Sequence, residues 1–257
     1  MSKLFQPIVF KSGLSMKNRF VLAPLTNTQS HADGVLSENE YRWLTMRAEG
    51  GFGLTMTCAA HIQAVGQGFP GQLGIFGDQH LEGLTKLANG IKNANSLAVV
   101  QLHHAGMRSP TDLIGQSPVC PSEHAGTGAV ALSIKAVEQL IEDFICAAER
   151  AEKAGFEGVE IHGAHGYILA QFLSATVNQR QDQFGGSIEN RMRPITEIID
   201  GIRTRCRKRD FSLNLEQKDT LTLEAKREGI EEILIDQIDI GPYIPQWYTL
   251  MAMVGLD

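Results

Sequence analysis

Ala154-Gly155-Phe156-Glu157-Gly158-Val159-Glu160-Ile161-His162-Gly163-Ala164-His165-Gly166-Tyr167 sets a helix end, a short strand and a polar turn in immediate succession. The helix before it presents Val137, Leu140, Ile141, Phe144, Ala148 and Ala151 on one face and stops at Gly155, where a left-handed residue without a Cβ is favoured. The run 158–162 has the length of a strand rather than a helix. A buried strand that follows a helix at once and ends in polar residues is the unit from which parallel α/β proteins are built.

The same rhythm recurs upstream in the apolar runs 20–24, 53–57 and 97–102, each ending in polar or special residues. Between the first two, Ser37 and Glu40 stand three apart, as in a capping box, and Gly50-Gly51 closes the helix they open. Asp78 is placed to cap the next helix, whose Leu81, Leu84, Ala88 and Ile91 share a face. Gly126-Thr127-Gly128 marks a surface loop, and no internal repeat or linker interrupts the chain before Arg207. The fold read from this pattern is α/β, a (β/α)₈ TIM-type barrel.

A chain of 257 residues with 43% apolar content can bury a sizeable core. Its formal charge of -6, spread without long runs, offers no basic face for nucleic acid or for an anionic membrane. The apolar residues at the N-terminus are interrupted by Lys3, Pro7, Lys11 and Lys17, so a cytoplasmic protein is expected. Cys58, Cys120, Cys146 and Cys206 form no CxxC pair and read as free thiols, with no metal site suggested by their spacing.

Pro24-Leu25-Thr26, Thr57-Cys58-Ala59, Gln101 and His162 all fall at the carboxyl ends of the four expected strands. In a barrel those ends converge on the face where active sites are built. The densest cluster is His162 to Tyr167, and three readings of its histidines compete. They could ligate a metal, although no third ligand accompanies them at a persuasive spacing; they could be a packed structural pair; or they could aim donors at a substrate oxygen while Tyr167 delivers a proton. The last is the favoured reading. His103-His104 is less decisive: one of them faces the same mouth, or both are ordinary loop surface.

At these residues the chain resembles the Old Yellow Enzyme family of FMN-dependent oxidoreductases, from its start to about Arg207. The resemblance rests on Asn18-Arg19-Phe20 leading into Ala23-Pro24-Leu25-Thr26, on Val100-Gln101-Leu102 with His103-His104-Ala105-Gly106, and on His162 to Tyr167 continuing into Gln171-Phe172-Leu173-Ser174. It extends through Asn178-Gln179-Arg180, Asp182, Gly185-Gly186-Ser187 and Glu189-Asn190-Arg191, whose charges read as a structural network, with Phe184 where the family usually has tyrosine. The resemblance implies that Pro24, Leu25, Thr26, Ala59 and Gln101 line the flavin ring. It implies that His162 and His165 bind the carbonyl of an enone-type substrate, that Tyr167 is the proton donor, and that NADH or NADPH is the reductant.

After Arg207 the family pattern fails. Ser212-Leu213-Asn214-Leu215-Glu216 lacks the arginine expected against the flavin, and residues 241–248 lack a glycine-rich phosphate loop. A βαβ unit takes roughly 30 residues or more. The segment 208–257 is therefore read as a divergent tail supplying strand five, a helix from about Thr222 and strand six near 233–238, which leaves the barrel incomplete at strands 7 and 8. Unpaired edges of that kind favour self-association. A barrel fragment without catalysis is the alternative to a working reductase.

Overall fold

In the computed structural model, which describes residues 3–10, 13–206 and 251–254, the chain opens with a small antiparallel hairpin of β1 (Ile8–Val9) and β2 (Ser15–Met16). Then follow β3 (Val21–Leu22), α1 (Glu38–Glu49), β4 (Leu54–His61), α2 (Leu81–Asn93) and β5 (Leu97–His103). A long excursion holds the short helix α3 (Thr111–Ile114) and a two-stranded sheet of β6 (Val119–Cys120) and β7 (Val130–Ala131). The chain returns through α4 (Ile134–Ala154) to β8 (Gly158–His162), then α5 (Ile168–Leu173) and α6 (Ile188–Arg205). A last strand, β9 (Met251–Val254), completes the described part.

The main sheet has the order β3-β4-β5-β8-β9. Its first four strands are parallel, with Val21 beside Leu54, Leu54 beside Leu97 and Val99 beside Gly158. Strand order that follows chain order without reversal is the winding of a barrel, whereas a doubly wound sheet reverses at a switch point. β9 runs antiparallel to β8, pairing Met251 with His162. The expected strand five, the helix from Thr222 and strand six lie outside the described residues.

Pleating sends alternate side chains to opposite faces of the sheet. Ala98, Val100, Leu102, Val159 and Ile161 face the helices, where they join Leu44, Leu84, Leu87, Phe144 and Ile198 in one buried core. Leu54, Met56, Leu97 and Val99 face the other way and pack with Phe10 and Met16 of the hairpin, which floors the barrel at the amino ends of its strands. Continuing along the same inner faces, the residues become Gln101, His103, Glu160 and His162, all buried. Burying any one of the core aliphatic or phenyl groups contributes about 1.5–3 kcal/mol, so the alternation fixes which polar groups are left to line the top.

Ser37 caps α1, accepting from the Glu40 amide at 3.1 Å, and Ser133 caps α4 in the same way. α4 ends at Gly155 with φ 91°, the left-handed stop read from its sequence. Two local expectations need correction. The Glu40 carboxylate does not reach back to the cap; it accepts from the Ser30 hydroxyl, because a buried acid takes a buried donor in the loop after β3. Asp78 does not cap α2, whose start follows a 3₁₀ turn; its carboxylate is claimed instead by Arg150 of α4, with Nε to Oδ1 at 3.0 Å. A third correction concerns β4, which does not end at Thr57. Its register shifts between Met56 and Ala59 and it runs on to His61, so Thr57-Cys58-Ala59 lies within the strand.

The loop between α5 and α6 is tied down as the sequence suggests. Arg180 grips Asp182, with Nη2 to Oδ2 at 2.6 Å, and donates to the carbonyls of Pro121 and Leu132. Arg191 donates to the carbonyl of Leu173 at 2.7 Å. No helix among the described residues is long and apolar enough to cross a membrane.

Candidate active site

Above the apolar floor, at the carboxyl ends of the parallel strands, lies a cleft of about 180 Å³. It is lined by Ala23, Pro24, Leu25, Thr26, Ala59, Phe69, Gln101, His103, His162, His165 and Tyr167. Pro24, Leu25, Thr26, Ala59, Gln101, His162, His165 and Tyr167 are thus brought to one place, from the loop after β3, the distal part of β4, the end of β5 and the turn after β8, whereas Thr57 and Cys58 do not line it.

One wall is apolar and small: Ala23, Pro24, Leu25 and Ala59. Gln101 stands at its edge with a fixed amide. Its Nε2 donates to Glu160 Oε1 at 2.8 Å, which leaves the amide oxygen as the acceptor turned to other partners.

The opposite wall is a set of rings. His162 Nδ1 accepts from the Ala164 amide at 3.2 Å, so the proton of this neutral imidazole sits on Nε2. Nε2 meets His165 Nδ1 at 3.3 Å, and the tautomer just assigned makes His162 the donor. His165 must then carry its own proton on Nε2. The two histidines therefore form a chain of donors with a defined direction, rather than two independent donors aimed at one point. Burial drives the pKa of His162 down to about 3, with help from His165. Burial, then the charge of Arg108, lowers that of His165. Both are neutral at pH 7 and act through N–H bonds, not through charge.

His165 adopts φ 55°. A left-handed backbone is uncommon outside glycine and costs of order 1 kcal/mol, held here by its surroundings. The Tyr167 amide bonds back to the Ala164 carbonyl at 3.1 Å, and Gln171 on α5 donates to the carbonyls of Gly166 at 2.8 Å and Ala105 at 3.2 Å. The turn is thereby locked to the loop after β5. Tyr167 immediately precedes α5 and stands edge-on to His162, with ring centroids 5.1 Å apart. The exposed Arg108 guanidinium sits 5.1 Å from the Tyr167 ring centroid and donates to the His165 carbonyl at 2.5 Å.

The pair His103-His104 divides, and neither is surface. His104 is fully buried away from the cleft, its Nδ1 accepting from the Gly106 amide and its Nε2 meeting Gln63 Oε1, both at 3.0 Å. His103 lines the cleft, edge-on to Tyr167 at 4.3 Å. Phe69, and Gln72 behind His103, were not found from the sequence; they lie in the stretch 62–77, which has no apolar period to place it.

A parallel barrel with an apolar wall, a fixed amide and a directed imidazole chain beside a phenol narrows the field, and comparison with known proteins decides it. The model of the NADH:flavin oxidoreductase / NADH oxidase family matches residues 3–222. The chain belongs to that family. It is 41% identical over 204 residues to the probable NADH-dependent flavin oxidoreductase YqiG of Bacillus subtilis, a match covering 78% of this chain and 55% of that protein. To an NADPH dehydrogenase of the same organism it is 38% identical, covering 78% of this chain and 60% of the other. Among solved structures, the old yellow enzyme homologue from Zymomonas mobilis superposes with a TM-score of 0.73 at 33% identity, covering 79% of this chain and 60% of that one. Morphinone reductase gives 0.71 at 31% identity over 78% of this chain and 58% of its own. The chain thus spans 55% and 60% of the length of these two Bacillus subtilis relatives.

Proposed function

We propose that this chain is the catalytic part of an FMN-dependent oxidoreductase that takes hydride from NADH or NADPH and passes it to the C=C bond of an α,β-unsaturated carbonyl compound. The observation that carries the reading is the directed His162–His165 chain placed beside Tyr167 and facing an apolar wall. The residues present fit a flavin ring: Pro24, Leu25, Thr26 and Ala59 give a low wall with no bulky side chain beyond Leu25, and the Gln101 oxygen is left to accept an N–H at the ring edge. When bound, FMN supplies the hydride, first accepted from the nicotinamide.

The chain's own residues then do three things. His162 and His165 together hold the substrate oxygen, His165 through its outward Nε2–H and His162 by donating to His165, so negative charge that develops there meets an N–H donor already in position. The apolar wall excludes water from the reacting carbons. Tyr167 holds the proton that the α-carbon requires, with the Arg108 guanidinium 5.1 Å from its ring centroid at the rim. Residues 1–207 carry all of these groups, and 208–257 are assigned to a divergent tail.

The test begins with colour. Purified full-length protein is expected to be yellow and to release free FMN on denaturation; a colourless protein that takes up no FMN sinks the reading. In stopped-flow work Tyr167→Phe should slow enone reduction by roughly 10² to 10⁴-fold, the usual worth of a positioned acid, and leave flavin reduction by the nicotinamide nearly unchanged. Equal loss in both half-reactions removes Tyr167 from the donor role.

A further inference from the structure

Three successive carbonyls of the turn that carries His165 are held, and the middle one has a charged partner. The Ala164 carbonyl accepts from the Tyr167 amide at 3.1 Å, and the Gly166 carbonyl accepts from Gln171 Nε2 at 2.8 Å. Between them, the His165 carbonyl accepts from Arg108 Nη1 at 2.5 Å. The turn needs holding. His165 and Gly166 are consecutive left-handed residues, with φ 55° and 67°, a conformation that only glycine takes freely.

Arg108 reaches this turn from a rigid base. The Gly106 amide donates to His104 Nδ1 at 3.0 Å, the Met107 amide to Gln171 Oε1 at 3.1 Å, and the Arg108 amide to the Ala105 carbonyl at 3.2 Å. Gly106 has φ 63°, and a Cβ there would meet Gln171 Oε1 at 2.4 Å, so the backbone beneath Arg108 has one course. An exposed arginine ordinarily contributes little, because ordering its long side chain costs rotamer freedom. Here the backbone is already fixed, and the guanidinium makes two contacts at once: the charge-assisted bond to the His165 carbonyl and a place 5.1 Å from the Tyr167 ring centroid, within reach of a cation–π attraction. Arg108 is not among the residues that line the cleft, so it acts through His165 and Tyr167.

We propose that Arg108 is a positioning residue, a charged clamp that fixes the left-handed turn so that the His165 ring stays bonded to His162 and the Tyr167 ring stays edge-on beside them. This rests on the oxidoreductase reading above for the use of those rings, and adds a residue outside the cleft that serves them. The charge has a second effect on the same imidazole. The titratable and charged groups that face His165 are Arg108, His162 and Tyr167. Burial, and then the Arg108 charge, hold the His165 pKa below the ordinary imidazole value. A proton added to His165 would go onto Nδ1, setting an N–H against the Nε2–H of His162 and breaking the chain. The clamp thus fixes the turn by its bond and keeps the ring neutral by its charge. The rival reading is an ordinary surface cation whose contact with the turn is incidental.

The experiment uses the full-length FMN-loaded protein in its oxidised form with two substitutions. Arg108→Met keeps the length and removes the charge and the donors; Arg108→Lys keeps the charge and a donor. In the methionine variant, hydrogen exchange at the Tyr167 amide should be about tenfold faster, the loss of one charge-assisted hydrogen bond, and phenol should bind about tenfold more weakly. The His165 ring, followed by its ¹⁵N resonances, should titrate at a higher pH, nearer the ordinary imidazole value. The lysine variant should stay close to the parent in all three. Unchanged exchange and titration in the methionine variant make Arg108 a surface cation, and a lysine variant as loose as the methionine one shows that charge does not hold the turn; each overturns the proposal. In case a variant folds poorly, the parent gives its own reading: rotation of the Arg108 guanidinium, seen in the Nη line shapes, should be slowed by the clamp, and a freely rotating guanidinium also overturns the proposal. If phenol binds no form, the parent included, it is the oxidoreductase reading that fails, and exchange and titration, which need no ligand, still decide the clamp.

Discussion

His162 and His165 hold a single line of polarity: an amide to Nδ1 of the first, its Nε2–H to Nδ1 of the second, and the second's Nε2–H outward. Such a chain is disabled by removing either member, because the tautomer of one ring is set by the other. A phenolate ligand is expected to bind the oxidised flavoprotein through these donors and give a long-wavelength charge-transfer band. His162→Ala and His165→Ala should each weaken it by about tenfold or more, and the double variant should lose little beyond the worse single one. Strictly additive losses in a spectroscopic titration would falsify the chain and restore two separate donors. The left-handed backbone of His165 adds a constraint at the same scale, since a β-branched residue there would strain the turn whatever its polarity.

Among the elements, the loop before α6 depends most on a single side chain. The Arg180 side chain is 8% exposed, and the carboxyl of Asp182 is held below the usual range by it. Arg180→Ala would strand that carboxylate and leave the Pro121 and Leu132 carbonyls without their donor. Breaking a largely buried pair from one side costs about 3 kcal/mol. Urea unfolding should show that loss with an unchanged slope; a loss under about 1 kcal/mol would make the network ornamental. Elements of this kind were legible where period and punctuation agree. The stripe from Val137 to Ala151 with its stop at Gly155 is found as read, and β8 begins and ends where its apolar run does. What escaped reading is long-range. β4 passes through an irregularity whose cause is pairing with β5, and Asp78 is taken by an arginine far along the chain. The assignment of His103 to the cleft and His104 to the interior depends on Gln72 and Gln63, which no local pattern connects to them.

For the whole molecule, the buried imidazoles govern acid stability. His61, His80, His103, His104 and His162 all have pKa values lowered by burial, His80 to about 4 and His104 to about 3. Below pH 6.5 the unfolded chain binds protons that the folded chain refuses, so stability falls as pH falls from 6.5 toward 4, by about 1.4 kcal/mol per pH unit for each imidazole kept neutral. Glu40, raised by burial, acts with the opposite sign and offsets part of this. A flat stability profile across that range, followed by urea midpoint, would show the imidazoles are not held neutral. Self-association is also expected, through β3, which is an edge of the sheet among the described residues and where Val21 is exposed; sedimentation that is monodisperse and monomeric at high concentration would refute it. The hairpin floor has a kinetic corollary. Phe10 and Met16 pack across the amino ends of the strands, so the described residues place the cleft at the carboxyl ends alone. On the proposed reading, reductant and oxidant share that space, each departing before the other arrives, and each in excess should obstruct the other. Steady-state turnover should give parallel double-reciprocal lines as one reactant is varied at several levels of the other, whereas lines meeting at a point would mean that both fit in that space together.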